Sequence, residues 1–298
     1  MPAPNAPEAD ARERVEAVLT HLPAGLQRRV SWMLDRWPGR IGLQWTAGMI
    51  RIEVFDRSMT IAAQFFSSVL PILIILAAWE ASTDTFADVI DLPEQSRSII
   101  EGAVEGQDAA FGIVGTLFVL VSATSLSRAL TRAFAAVWLL PRPRTRLRSA
   151  WRWFSVVLVM ALSLVVVRTL SDGLAGLPPR DLWPVALTYS SDLLVASFVP
   201  WALLAGAIRF RMLLPGAFLF ATLMATVRPA TALWLPRALE ASADRYGSIG
   251  VAFTYLTWLY VASFCFMATA VLGQVIATDQ GRLGARIRGE GTLVPQPD

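Results

Sequence analysis

Along residues 59–278, long uncharged apolar stretches alternate with short charged ones. A hydrocarbon core takes about 20 residues of helix, and the stretches match that length. The pattern predicts about six membrane-crossing helices. The first covers 59–79, the second runs from about 109 to 138, and the third covers 153–170. The fourth covers 183–208, the fifth runs from 212 to about 235, and the sixth lies within 246–278. Pro71, Pro200 and Pro229 fall inside three of them. Proline kinks a membrane helix and is tolerated there when neighbours satisfy the freed carbonyl. A polar turn of Pro236, Arg237, Glu240, Asp244 and Arg245 is expected to separate the fifth helix from the sixth.

Residues 1–57 read differently. Apolar positions from Val18 to Trp37 recur at helical spacing, Pro38-Gly39 breaks the pattern, and Ile41, Trp45, Met49, Ile52 and Phe55 resume it. Arg28, Arg29, Arg36, Arg40, Arg51 and Arg57 line the polar side. Such amphipathic helices lie in the interface plane against anionic lipid or pack as a hairpin on the rest of the protein. The chain thus divides into an N-terminal interfacial region 1–57, a six-helix domain 58–278 with an acidic loop 80–110, and a tail 279–298 expected to be disordered.

Composition strengthens the membrane reading. The chain has 298 residues, 55% hydrophobic and 16% charged, where soluble domains carry about 25% charged residues. That much apolar surface exceeds what one soluble core hides. Charge position gives orientation. The stretch 141–152, the turn 209–211 and both flanks are rich in arginine, and 80–110 is rich in acids. Basic loops stay in the cytoplasm, so both ends are expected inside and 80–110 outside. The expected fold is an all-α polytopic membrane helical bundle. No secretory signal peptide is evident.

Several chemistries drop out. The chain has one cysteine, Cys265, and one histidine, His21. A single cysteine excludes an internal disulfide and a thiolate cage. No Walker-type phosphate loop is present, so neither ATP nor another cofactor is expected. No nucleophile–base pair or metal constellation is apparent, and no enzymatic activity is expected.

Further motifs carry a resemblance. The stretch Tyr246-Gly247-Ser248-Ile249-Gly250, then Thr257-Trp258-Leu259-Tyr260 and Leu272-Gly273-Gln274, resembles the last helix of the YihY/BrkB family of bacterial inner-membrane proteins. Ala62-Ala63-Gln64-Phe65-Phe66-Ser67-Ser68-Val69-Leu70-Pro71, the run from Ser122 to Phe134, and Leu214-Pro215-Gly216-Ala217 are similar to that family as well. The similarity covers roughly residues 40–278. It implies a six-helix inner-membrane protein. Family members were once labelled ribonuclease BN, and some are tied to serum resistance or envelope transport. Members commonly end the last helix with Gly-Ala-Glu, whereas Gly273-Gln274 has no acid, so a role for that glutamate does not carry over. The nuclease label fits poorly, since metal-dependent phosphodiester hydrolysis needs clamped metal ions and one histidine cannot hold them. Nucleic acid is not an expected partner. The arginines of 141–152 read as a topology determinant.

Polar residues inside apolar helices are site candidates by default. Arg128 and Arg132 lie one turn apart on the second helix, beside Ser125. They read as an anion or lipid-headgroup contact, or as interfacial charge with helix–helix hydrogen bonds. Asp192 lies within the fourth helix, with Arg168 and Arg228 at similar outer-half depth. A carboxylate in hydrocarbon needs a partner, so Asp192 is expected to pair with one of these arginines. The pair is a structural brace or part of a polar cavity. Gly247 and Gly250 form a gate or a packing seam. The functional expectation is a transporter or exporter of an amphipathic or anionic envelope substrate. The alternative is a non-transporting scaffold or envelope-integrity factor. Expected partners are the lipid bilayer and a lipid or small-molecule substrate, with room for a homo-oligomer.

Overall fold

The computed structural model describes residues 37–78, 124–141 and 182–289, together with residues 159, 166, 167, 169 and 170. Among these residues every regular element is a helix and there is no strand. The order is α1 Trp37–Arg51, α2 Val54–Ala78, α3 124–137, α4 Leu182–Leu203, a helical run Phe210–Thr278, and α7 Arg282–Arg288. Residues 159, 166, 167, 169 and 170, within the expected third helix, are helical as well. Two of these helices, Leu182–Leu203 and Phe210–Thr278, are long and apolar enough to cross a membrane.

The run Phe210–Thr278 doubles back at Gly247, where φ is 61° and ψ is −145°. Only glycine takes that backbone shape without a steric penalty. The run is therefore a hairpin of two limbs, α5 (210–246) and α6 (248–278). The expected turn over Pro236–Arg245 is not there, because α5 continues through Pro229 and Pro236 to Gly247. Proline removes one helix hydrogen bond but leaves helical φ accessible, and the backbone reverses where a positive φ is available. At 1.5 Å per residue the limbs are about 55 and 45 Å long. Both exceed the roughly 30 Å of a hydrocarbon core, so charged positions near the turn, such as Arg237 and Glu240, do not have to sit in lipid.

The limbs touch at both ends. Near the turn, Ser242 Oγ and Thr254 Oγ1 share a hydrogen bond of 2.8 Å, and Gly250 lies against the Ser242 carbonyl. At the far end a Cβ on Gly273 would fall on the Gly216 backbone. The core gathers at this far end. Ile52, Val54 and Ile61 of the α1–α2 region meet Phe134 and Val137 of α3, Val199 and Leu203 of α4, and Met267 and Val271 of α6. Phe134, fully buried, packs edge-on against Phe266 with centroids 5.3 Å apart.

α1 packs against α6. Trp45 Nε1 donates to the Ala268 carbonyl at 2.8 Å, and Gly48 lies against Val271. Pro38 and Gly39, expected to break the helix, form its first turn, where proline lacks nothing the helix needs. Residues 1–36 lie outside the described residues. The expectation of a disordered tail fails over 282–288, which form α7.

Candidate functional site

The crease between α4 and α5 holds the charged residues that the structure brings together inside apolar helices. The two helices run antiparallel. Ala196 and Pro200 lie near Leu213 and Gly216 in a small shared cleft. Further along, Tyr189 reaches Thr222, with 3.1 Å between the hydroxyl oxygens, and packs edge-on against Phe218.

One turn after Tyr189 comes Asp192, midway along α4 and buried, with 8% of its surface exposed. Arg228, midway along α5, lies about two turns beyond Thr222. Helical side chains tilt toward their own N-terminus. On antiparallel helices the two side chains therefore lean toward each other, and Arg228 Nη2 reaches Asp192 Oδ1 at 2.6 Å. The sequence left two partners open for Asp192, and the contact is with Arg228. Both residues occupy the middle of their helices.

The pair is unevenly satisfied. Asp192 Oδ2 is buried without a hydrogen-bond partner among the described residues. The Arg228 side chain is 46% exposed and that of Asp192 only 11%. A guanidinium has five N–H donors, and one of those on Arg228 is directed at Asp192. A buried acceptor left unpaired costs about 1–3 kcal/mol or more. Among the described residues, one carboxylate oxygen and the remaining guanidinium N–H groups of the pair are therefore left without a partner.

The other expected residues are distributed elsewhere. Ser125, on α3, donates to the Gln64 side chain of α2. Arg128 and Arg132 occupy the exposed face of α3, and Arg132 Nε donates to the Arg128 carbonyl at 3.2 Å. No contact joins either arginine to Asp192 or Arg228 among the described residues. Arg168 lies outside the described residues. Pro71, Pro200 and Pro229 all fall within helices. Gly247 makes the hairpin turn, and Gly250 seats the limbs closely. Tyr189 and Thr222 were not singled out from the sequence. The available signal was a tyrosine three residues ahead of an intramembrane acid, on a neighbouring face.

No group of three or more His, Cys, Asp or Glu side chains that could hold a metal ion occurs among the described residues. Cys265 is a free, half-buried thiol.

No curated protein and no solved structure matches the chain. The profile of the family described as virulence factor BrkB matches residues 46–290, which takes in the whole hairpin, α4, the described part of α3 and the Asp192–Arg228 pair. The chain belongs to the BrkB virulence-factor family.

Proposed function

We propose that the chain is a multi-pass inner-membrane transporter or exporter of an amphipathic or anionic substrate, with Asp192 and Arg228 as its polar site. In this reading about six helices cross the bilayer and both ends lie in the cytoplasm. The arginines at 141–152, 209–211 and the C-terminal flank stay inside, as the positive-inside rule requires.

The observation that carries the reading is the incompleteness of the ion pair. A charge inside a membrane protein is costly and is kept paired or facing a cavity. A brace gains most when every donor and acceptor is used. Here Asp192 Oδ2 is unpaired among the described residues and the guanidinium is nearly half exposed. A phosphate or carboxylate headgroup is the ligand that a guanidinium face accepts best. Asp192 competes with such an anion for Arg228, so protonation of Asp192 would free the guanidinium and favour anion binding.

The alternative is a scaffold in which the pair only ties α4 to α5. The close Gly216–Gly273 contact and the apolar core around Phe134 favour it at that end of the molecule.

The test is reconstitution into phosphatidylcholine liposomes, following bilayer crossing of a fluorescently labelled anionic phospholipid and a labelled zwitterionic one. Wild-type protein should move the anionic probe faster. Arg228→Ala should lose that preference, whereas Asp192→Asn, which mimics the protonated acid and frees the guanidinium, should keep or raise it. Equal movement by wild type and both variants would remove these residues from the site. No movement of either probe by wild type would favour the scaffold.

A further inference from the structure

The acid at the end of α6 has no part in the α4–α5 site, yet it is the most heavily bonded carboxylate among the described residues. Asp279 is buried, with its side chain 3% exposed. Its Oδ1 accepts from Arg40 Nη2 and its Oδ2 from Trp37 Nε1, both at 3.2 Å. The Gly281 amide also donates to Oδ2, at 3.1 Å. Its backbone carbonyl accepts from Arg288 Nη1 at 2.9 Å, and the same nitrogen donates to the Ala277 carbonyl at 3.1 Å.

Each bond supplies something an element lacks. The first turn of α1 contains no acid and the last turn of α6 no base, although helix dipoles favour those charges there. Asp279 brings a negative charge to the first turn of α1. Arg288 caps the open carbonyls of α6, as a basic side chain does at a helix C-terminus. Gly284 makes this geometry accessible, because a Cβ there would fall on the Asp279 carbonyl. Arg209, just ahead of α5, closes the cluster by donating to the Arg288 carbonyl at 3.1 Å.

We infer that Asp279 is a releasable latch holding α1 against α6, so that loss of its charge frees α1 while the α5–α6 hairpin stays folded. Three features make it a latch rather than part of the core. It joins residues 239 and 242 positions apart in the chain, so no local structure enforces the contact. Arg40 is open to solvent, its side chain 35% exposed, so water can take over its hydrogen bonds on release. The hairpin's own contacts, Gly216 with Gly273 and Ser242 with Thr254, do not involve Asp279. Beyond Asp279, α1 is held by burial of Ile41 and, in its C-terminal half, by the Trp45–Ala268 hydrogen bond and the Gly48–Val271 contact with α6. Release therefore starts at Trp37 and proceeds toward Trp45. The inference stands apart from the transport reading, since it uses none of the same residues.

Hydrogen–deuterium exchange of the full-length protein in detergent or nanodiscs tests it. Asp279→Asn keeps the shape and removes the charge. Hydrogen bonds to a charged carboxylate are stronger than those to a neutral amide, so losing the charge should raise amide exchange over 37–45 at least about tenfold, with exchange over 248–272 unchanged. Arg40→Gln should give the same pattern, and the double variant should add little to either single one. Unchanged exchange over 37–45 in Asp279→Asn would overturn the latch. A parallel rise over 248–272 would overturn it too, by making Asp279 a general support of the hairpin.

Discussion

The two ends of the α5–α6 hairpin use glycine for opposite purposes. At the Gly216–Gly273 end, both limbs give up side chains so that their backbones meet beside a core to which α1, α2, α3 and α4 contribute. At the Gly247 end, one glycine supplies a backbone turn and a second lets Ser242 approach, while Tyr246, Ile249 and Phe253 stay exposed. Small residues at both ends look alike in the sequence. Their surroundings differ among the described residues: one end is enclosed by α1, α2, α3 and α4, whereas the limbs near the turn touch mainly each other. The first is a site of packing and the second a site of conformation.

That contrast gives an order of sensitivities. The largest loss is expected for Phe134→Ala, about 3–5 kcal/mol, because the side chain is fully buried where α3 meets α6. Denaturant titration of the purified protein would measure it. Gly273→Val places a branched side chain on the Gly216 backbone and should cost about 1–3 kcal/mol or more. The measurement is the thermal midpoint, with a matching drop in folded yield. At the other end, Gly247→Ala has open space around its Cβ and meets only backbone strain, for about 1–2 kcal/mol. Ser242→Ala loses one hydroxyl hydrogen bond to Thr254, worth about 1 kcal/mol. Should Gly247→Ala prove as damaging as Phe134→Ala, the two ends would not differ in kind.

Much of the helical content was readable because an apolar run of membrane length has few alternatives. The fourth helix was predicted over 183–208, and α4 is Leu182–Leu203. The turn between the fifth and sixth was misplaced for a physical reason. Charges at Arg237, Glu240, Asp244 and Arg245 signal exposure to water, and exposure is compatible with helix as well as with turn. A helix that outruns the hydrocarbon core carries such charges without unfolding. The decisive residue was Gly247, which had been read as a seam or a gate.

The need for a partner at Asp192 was readable from the cost of a lone carboxylate in apolar surroundings. Which arginine answered was not, because that depends on the antiparallel alignment of α4 and α5. The same limit hid Asp279. In sequence it follows the last apolar helix as an ordinary tail residue, and its donors Trp37 and Arg40 are more than two hundred residues away. Arg128 and Arg132 illustrate the converse. Their shared face was predictable from helical spacing, but only the packing of α3 reveals that this face points outward.

The central functional claim is that Asp192 and Arg228 work as charges rather than as a brace. The double variant Asp192→Asn with Arg228→Gln removes both charges and leaves two neutral amides at the crease. Reconstituted beside wild type, it should fold to the same yield and lose selective movement of the labelled anionic phospholipid. Selective movement at the wild-type rate by the uncharged pair would contradict the account.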